Sequence, residues 1–119
     1  MKKILALLIV ISGACHGYEE SHLIGGWECE FKSEYIDAQE EFVFDNDSSY
    51  KKVTKTFGTK LIDLGKWSLN GNMLHLKREY HVARGEKSRS DQEFQREITK
   101  LDKNTLIYKY ENTLTTCIK

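Results

Sequence analysis

The chain has 119 residues, with 18 Lys plus Arg balancing 18 Asp plus Glu, so its formal net charge is zero. No basic run or stripe stands out from that balance, which argues against a nucleic-acid partner. There is no proline, and three cysteines are present. The length allows one domain, with a core of modest size.

The start of the chain reads as an export signal. Lys2 and Lys3 precede an unbroken apolar run from Ile4 to Ile11, and Ser12, Gly13 and Ala14 supply small residues behind it. The run is far short of the roughly 20 residues that a spanning helix needs. Residues 1–17 are therefore expected to be a signal peptide or N-terminal lead, and residues 18–119 the folded domain. Ser12-Gly13-Ala14-Cys15 resembles a bacterial lipobox, in which Cys15 would become the acylated first residue. Cleavage after Ala14 or after Gly17 is the alternative. The expected location is the periplasm or a lipid-anchored place on the outer membrane, with no membrane contact beyond that anchor. Removing Lys2 and Lys3 leaves the mature chain slightly acidic.

The remaining cysteines, Cys29 and Cys117, lie near opposite ends of the domain in strand-like surroundings. Pairing them leaves Cys15 spare, and either lipidation or cleavage after Gly17 disposes of it.

Alternation with period two runs through the domain, and no 3.6-residue pattern competes with it. Trp27, Cys29, Phe31, Ser33 and Tyr35 share one face, while Glu28, Glu30, Lys32 and Glu34 share the other. Phe42 and Phe44 mark a second strand and residues 50–57 a third. Residues 61–69 and 73–83 follow, the latter with Leu74, Leu76, Tyr80 and Val82 in phase. Phe94 and Ile98 mark a sixth strand, residues 106–110 a seventh, and 115–119 a short last one. Asn70-Gly71-Asn72 is the clearest hairpin turn, since Asn-Gly suits positive φ. Residues 84–91 are expected to form a longer charged connection. About eight strands joined by short loops predict an all-β, antiparallel up-and-down barrel. Closure would place the strand of Cys29 beside that of Cys117. An open two-sheet sandwich is the competing layout.

Two stretches carry a family resemblance. Leu23-Ile24-Gly25-Gly26-Trp27 is similar to the Gly-x-Trp that opens the first strand of lipocalins and other calycins. Residues 65–76, from Gly65-Lys66-Trp67 to Leu74-His75-Leu76, resemble a stretch of bacterial lipocalin-like domains. The second lipocalin signature, Thr-Asp-Tyr, has no clear match, and no C-terminal Arg stands opposite Trp27. The resemblance implies a compact bacterial relative, with Gly25 and Trp27 closing the base of a lipocalin-like barrel.

Candidate chemistry is limited. His75 and His81 are read on one outward face, roughly 20 Å apart, too far to share a metal ion. No Gly-x-Ser-x-Gly elbow is present, and adjacent carboxylates on a strand face opposite ways. The expectation is no catalytic residue, no metal, no cofactor and no enzyme activity. Arg78 and Arg96 fall in phase with core residues on neighbouring strands. They are candidates to hold the acidic head of a small amphipathic ligand, with Trp67, Tyr80 and Tyr108 around its apolar part. Each guanidinium could instead cap a barrel end, pair with an internal carboxylate such as Glu40, or be turned outward by a bulge. Eleven aromatic residues on apolar faces leave little room inside. The partner is then a small amphipathic molecule or, for a solid barrel with no ligand, another envelope protein, with the domain serving as an interaction module such as an inhibitor or assembly factor, and the chain is expected to be a monomer.

Overall fold

The computed structural model describes residues 18–32 and 37–119. A short helix, α1 (Glu20–Leu23), precedes nine strands: β1 (Gly25–Lys32), β2 (Asp37–Phe44), β3 (Ser49–Thr56), β4 (Thr59–Asn70), β5 (Met73–Ala83), β6 (Glu86–Arg89), β7 (Glu93–Leu101), β8 (Thr105–Tyr110) and β9 (Thr113–Ile118). The lead 1–17 with Cys15, and Ser33 and Tyr35 of the expected first strand, lie outside the described residues.

All pairings are antiparallel, and the sheet closes, because β1 pairs with both β2 and β9. β6 and β7 occupy successive parts of one edge of β5: β7 lies against Met73 to Lys77 and β6 against Tyr80 to Ala83. They are two halves of one barrel strand, interrupted at residues 90–92, so the barrel has eight strands. The expected long connection over 84–91 is thus corrected. Arg84-Gly85 forms a tight turn, and residues 86–89 are a strand. Its residues are all exposed and charged or polar, so it has no apolar face for a sequence pattern to reveal.

The disulfide joins directly opposed residues of the first and last strands, Cys29 and Cys117, with Cα atoms 3.9 Å apart. It locks the seam at which the barrel closes.

The turns sort to two ends. Residues 45–48, 70–72 and 102–104 lie with α1 at a closed base. Among the described residues, the turns Phe57-Gly58, Arg84-Gly85 and Glu111-Asn112 form the opposite rim. At the base, Leu23 is fully buried and Trp27 Nε1 donates to its carbonyl at 2.8 Å. Trp67 Nε1 donates to the Asp45 carbonyl at 3.0 Å. Phe42, Phe44, Leu74, Leu76, Ile98 and Leu106 fill the space between these indoles. Lys119 places its ammonium 4.8 Å from the Trp27 ring centroid and donates to the His22 carbonyl. A cation does therefore cover Trp27, supplied by a lysine at the last position rather than by the arginine sought in the sequence.

Gly65 explains part of the second sequence motif. Register slips beside it, because Leu64 pairs with Tyr80 and Gly65 with Arg78, which leaves Glu79 as the extra residue of a bulge. A Cβ at Gly65 would come within 2.0 Å of the Lys77 carbonyl oxygen. Only a residue without a side chain lets the two backbones approach that closely.

Candidate functional site

Above the apolar base, the barrel is crossed by a layer of charged side chains. Inward phase on β2, β3 and β4 brings in Glu40, Lys52 and Asp63. β5 contributes Arg78 and His81, β7 contributes Arg96, and β8 contributes Tyr108. Arg96 is buried at 5% exposure. Its Nη1 donates to Tyr108 Oη at 2.8 Å and to Glu40 Oε1 at 3.4 Å. Tyr108 in turn donates to Glu40 Oε1 at 2.6 Å. Lys52 Nζ links the two carboxylates, 3.6 Å from Glu40 and 3.4 Å from Asp63. Asp63 then meets Arg78 Nη1 at 3.4 Å and His81 Nδ1 at 2.7 Å. Arg78 also donates to Ser90 at 3.0 Å and to the Gln92 side chain.

Positive and negative groups alternate along this row, which is how three cations share one barrel. Aromatic faces complete the support. Arg96 lies 5.4 Å from the Phe42 centroid, 4.9 Å from that of Tyr108 and 5.1 Å from that of Tyr110. Lys52 and Arg78 both lie over Phe94, at 5.7 and 5.5 Å.

The electrostatics follow the geometry. Burial pushes the Glu40 carboxyl up, but Arg96, Lys52 and the Tyr108 hydrogen bond outweigh it and hold the group below its ordinary value. Burial and the nearby Glu40 push the Tyr108 hydroxyl well above the ordinary phenol range, against the pull of Arg96. Tyr50 is pushed up to about 12, first by burial and then by Asp63.

The structure brings Arg96 and Tyr108 together and places Arg78 in the same row, two carboxylates away. Trp67 lies lower, in the base, edge-on to Phe44 at 5.7 Å. Tyr80 departs from the expected phase. The bulge at Glu79 reverses alternation beyond it, so Tyr80 pairs with Leu64 on the outer wall, its ring 4.3 Å from Lys87 Nζ. The same reversal turns His81 inward to Asp63. His75 and His81 are thus on opposite faces, not on one outer face as the unbroken alternation implied. Lys52 and Asp63 were not singled out in the sequence, although Asp63 is two residues before Gly65 and four before Trp67, in inward phase.

An Asp–His pair of this kind can orient a general base. Among the described residues, however, the ring of His81 has Asp63 and Arg78 as hydrogen-bond partners and no hydroxyl or thiol. The described residues hold no group of three or more His, Cys, Asp or Glu side chains placed to bind a metal. Four hollows of about 360 to 430 Å³ lie on the outer wall or at the rim; one touches Glu40 and another Trp67, and none of the four is lined by Arg78, Arg96 or Tyr108.

No family model and no curated protein matches the chain.

Proposed function

We propose that this is an exported, non-catalytic binding module of calycin type that engages a protein or surface of the cell envelope from its outside. The observation that carries this reading is the row from Arg96 to Arg78. It fills the cross-section where a lipocalin-like cup would hold its ligand, and its charges pair with one another in alternation. Calycin kinship is supported by Gly25 and Trp27 at the start of β1 and by the cation over that indole. Cys15 as a lipid anchor, an envelope location and a monomeric state belong to the same proposal.

One observation favours a second reading, a small acidic ligand. The row holds three permanent cations, Lys52, Arg78 and Arg96, against two carboxylates, and Arg96 Nε is buried without a partner. An anion entering from the rim would meet Lys52 and Arg78 first, since both keep some exposure.

Native mass spectrometry of protein purified from its own envelope distinguishes the two. The expected result is the polypeptide alone, with or without an acyl group on Cys15. A retained small molecule that is lost in Arg78→Met would overturn the solid-barrel reading in favour of the second.

A further inference from the structure

We propose that the rim around Phe57 is a docking surface for an anionic phospholipid bilayer. This rests on the reading that the barrel works from its outside, and it names the surface.

An exposed aromatic ring and a strained turn meet at this rim. Phe57 has φ 52°, a left-handed conformation that bulky residues rarely adopt, and it is 81% exposed. Phe57-Gly58 is a two-residue turn with both φ values positive, where Asn-Gly would be the undemanding choice. Directly behind it, Lys55 and Lys60 are cross-strand partners, and Lys55 reaches the Glu41 carboxylate at 3.4 Å. The neighbouring tip repeats the pattern, with Arg84 at φ 53° before Gly85. Among the described residues the Phe57 ring is left largely uncovered, which points to a contact outside the molecule.

The arrangement identifies the partner's chemistry. The tips of β3–β4 and β5–β6 line one shallow hollow, with Lys60 and Arg84 at its edge and Ile62 and Val82 on its floor. Lys87 follows on the same outer wall. Three carboxylates lie nearby: Glu86, which pairs with Ala83 on the opposite face, Glu30, which lines a second hollow with Phe57, and Glu111 at the tip of β8–β9. A protruding aromatic ring with Lys60, Arg84 and Lys87 on one side of it is complementary to a fluid surface that carries negative charge over an apolar interior. A bilayer accepts such a convex tip without a preformed pocket.

Residues 18–119 contain the whole barrel, its core and its disulfide, so they can be tested by co-sedimentation with vesicles. Binding is expected to phosphatidylglycerol vesicles and not to phosphatidylcholine vesicles, and to weaken as salt is raised. Phe57→Asn should bind about tenfold more weakly or worse, while melting at a higher temperature than the parent because the turn strain is relieved. Lys60→Gln and Arg84→Gln should each lose about fivefold. Lys100→Gln, at the base, should bind as the parent does. The proposal is overturned if phosphatidylglycerol vesicles leave the protein in the supernatant, as they would if the rim served an acidic protein instead. It is equally overturned if Phe57→Asn binds like the parent, or if Lys100→Gln loses as much as Lys60→Gln. Any of these results leaves the solid-barrel reading standing, because that rests on the mass measurement.

Discussion

The hydroxyl of Tyr108 donates to the carboxylate of Glu40 across 2.6 Å, joining β8 to β2 through the middle of the barrel. The two strands are separated on the wall by β9 and β1, so this bond and the Arg96 bonds beside it tie opposite parts of the sheet together. Removing one charged member of such a buried set leaves the other without its partner.

Arg96→Met is therefore expected to destabilise the barrel by about 3 kcal/mol. Arg78→Met should cost less, since its site is more exposed and Asp63 keeps Lys52 and His81. The double change Glu40→Gln with Arg96→Met should cost less than the sum of its singles, because no lone charge remains. Urea denaturation measures all of these. A single-site cost near zero for Arg96→Met would mean the row contributes nothing to the fold.

Acid stability should depend on Glu40. Its carboxyl is depressed in the folded protein, so its contribution is present above the unfolded carboxylate pKa and is lost as pH falls through the lower folded value. At pH 7 Glu40→Gln should be less stable than the parent. The two stability curves should converge as the pH drops below about 4. Parallel curves from pH 7 to pH 3 would contradict this account.

Gly65 and Gly26 should respond oppositely to alanine. Gly65→Ala forces the backbones of β4 and β5 apart and is expected to cost about 3 kcal/mol, the upper end for overpacking. Gly26→Ala meets nothing nearer than 4.0 Å and should be neutral or slightly stabilising. Thermal melts of the pair, compared side by side, decide the matter.

Reduction of Cys29–Cys117 opens a loop of 88 residues. In the chain-entropy model that removes about 4–5 kcal/mol. Melting with and without reductant should show a large drop, and peptide mapping without reductant should recover the linked pair. Two free thiols in protein purified from its native source would remove the seam lock.

Much of the architecture was legible because alternation is clean where one face is apolar. β5 was read at its observed bounds, and the Cys29–Cys117 pairing followed from closure. Two kinds of feature escaped. β6 has no apolar face, so periodicity had nothing to register. The bulge at Glu79 sits inside a run of charged residues, Lys77-Arg78-Glu79, where an extra residue leaves no mark on a hydrophobic pattern. Everything beyond it, Tyr80 and His81 included, was therefore assigned to the wrong face. The ionic row was half visible. Arg78 and Arg96 stood out as charges in apolar phase, with Glu40 as a candidate partner. Lys52 and Asp63 are flanked by residues of mixed polarity, and their meeting depends on which strands become neighbours across the barrel.

The backbone N–H of Tyr18 donates to the Gly71 carbonyl at 3.3 Å, so the chain enters the molecule at its closed base. Phe57 lies at the far end of the strands. Whatever holds the residues ahead of Tyr18 and whatever touches Phe57 thus grip the molecule at opposite poles. A pull between those poles runs along the strands rather than across them, and it loads many ladder hydrogen bonds at once instead of peeling them singly. The seam between β1 and β9, beside that path, carries a covalent bond.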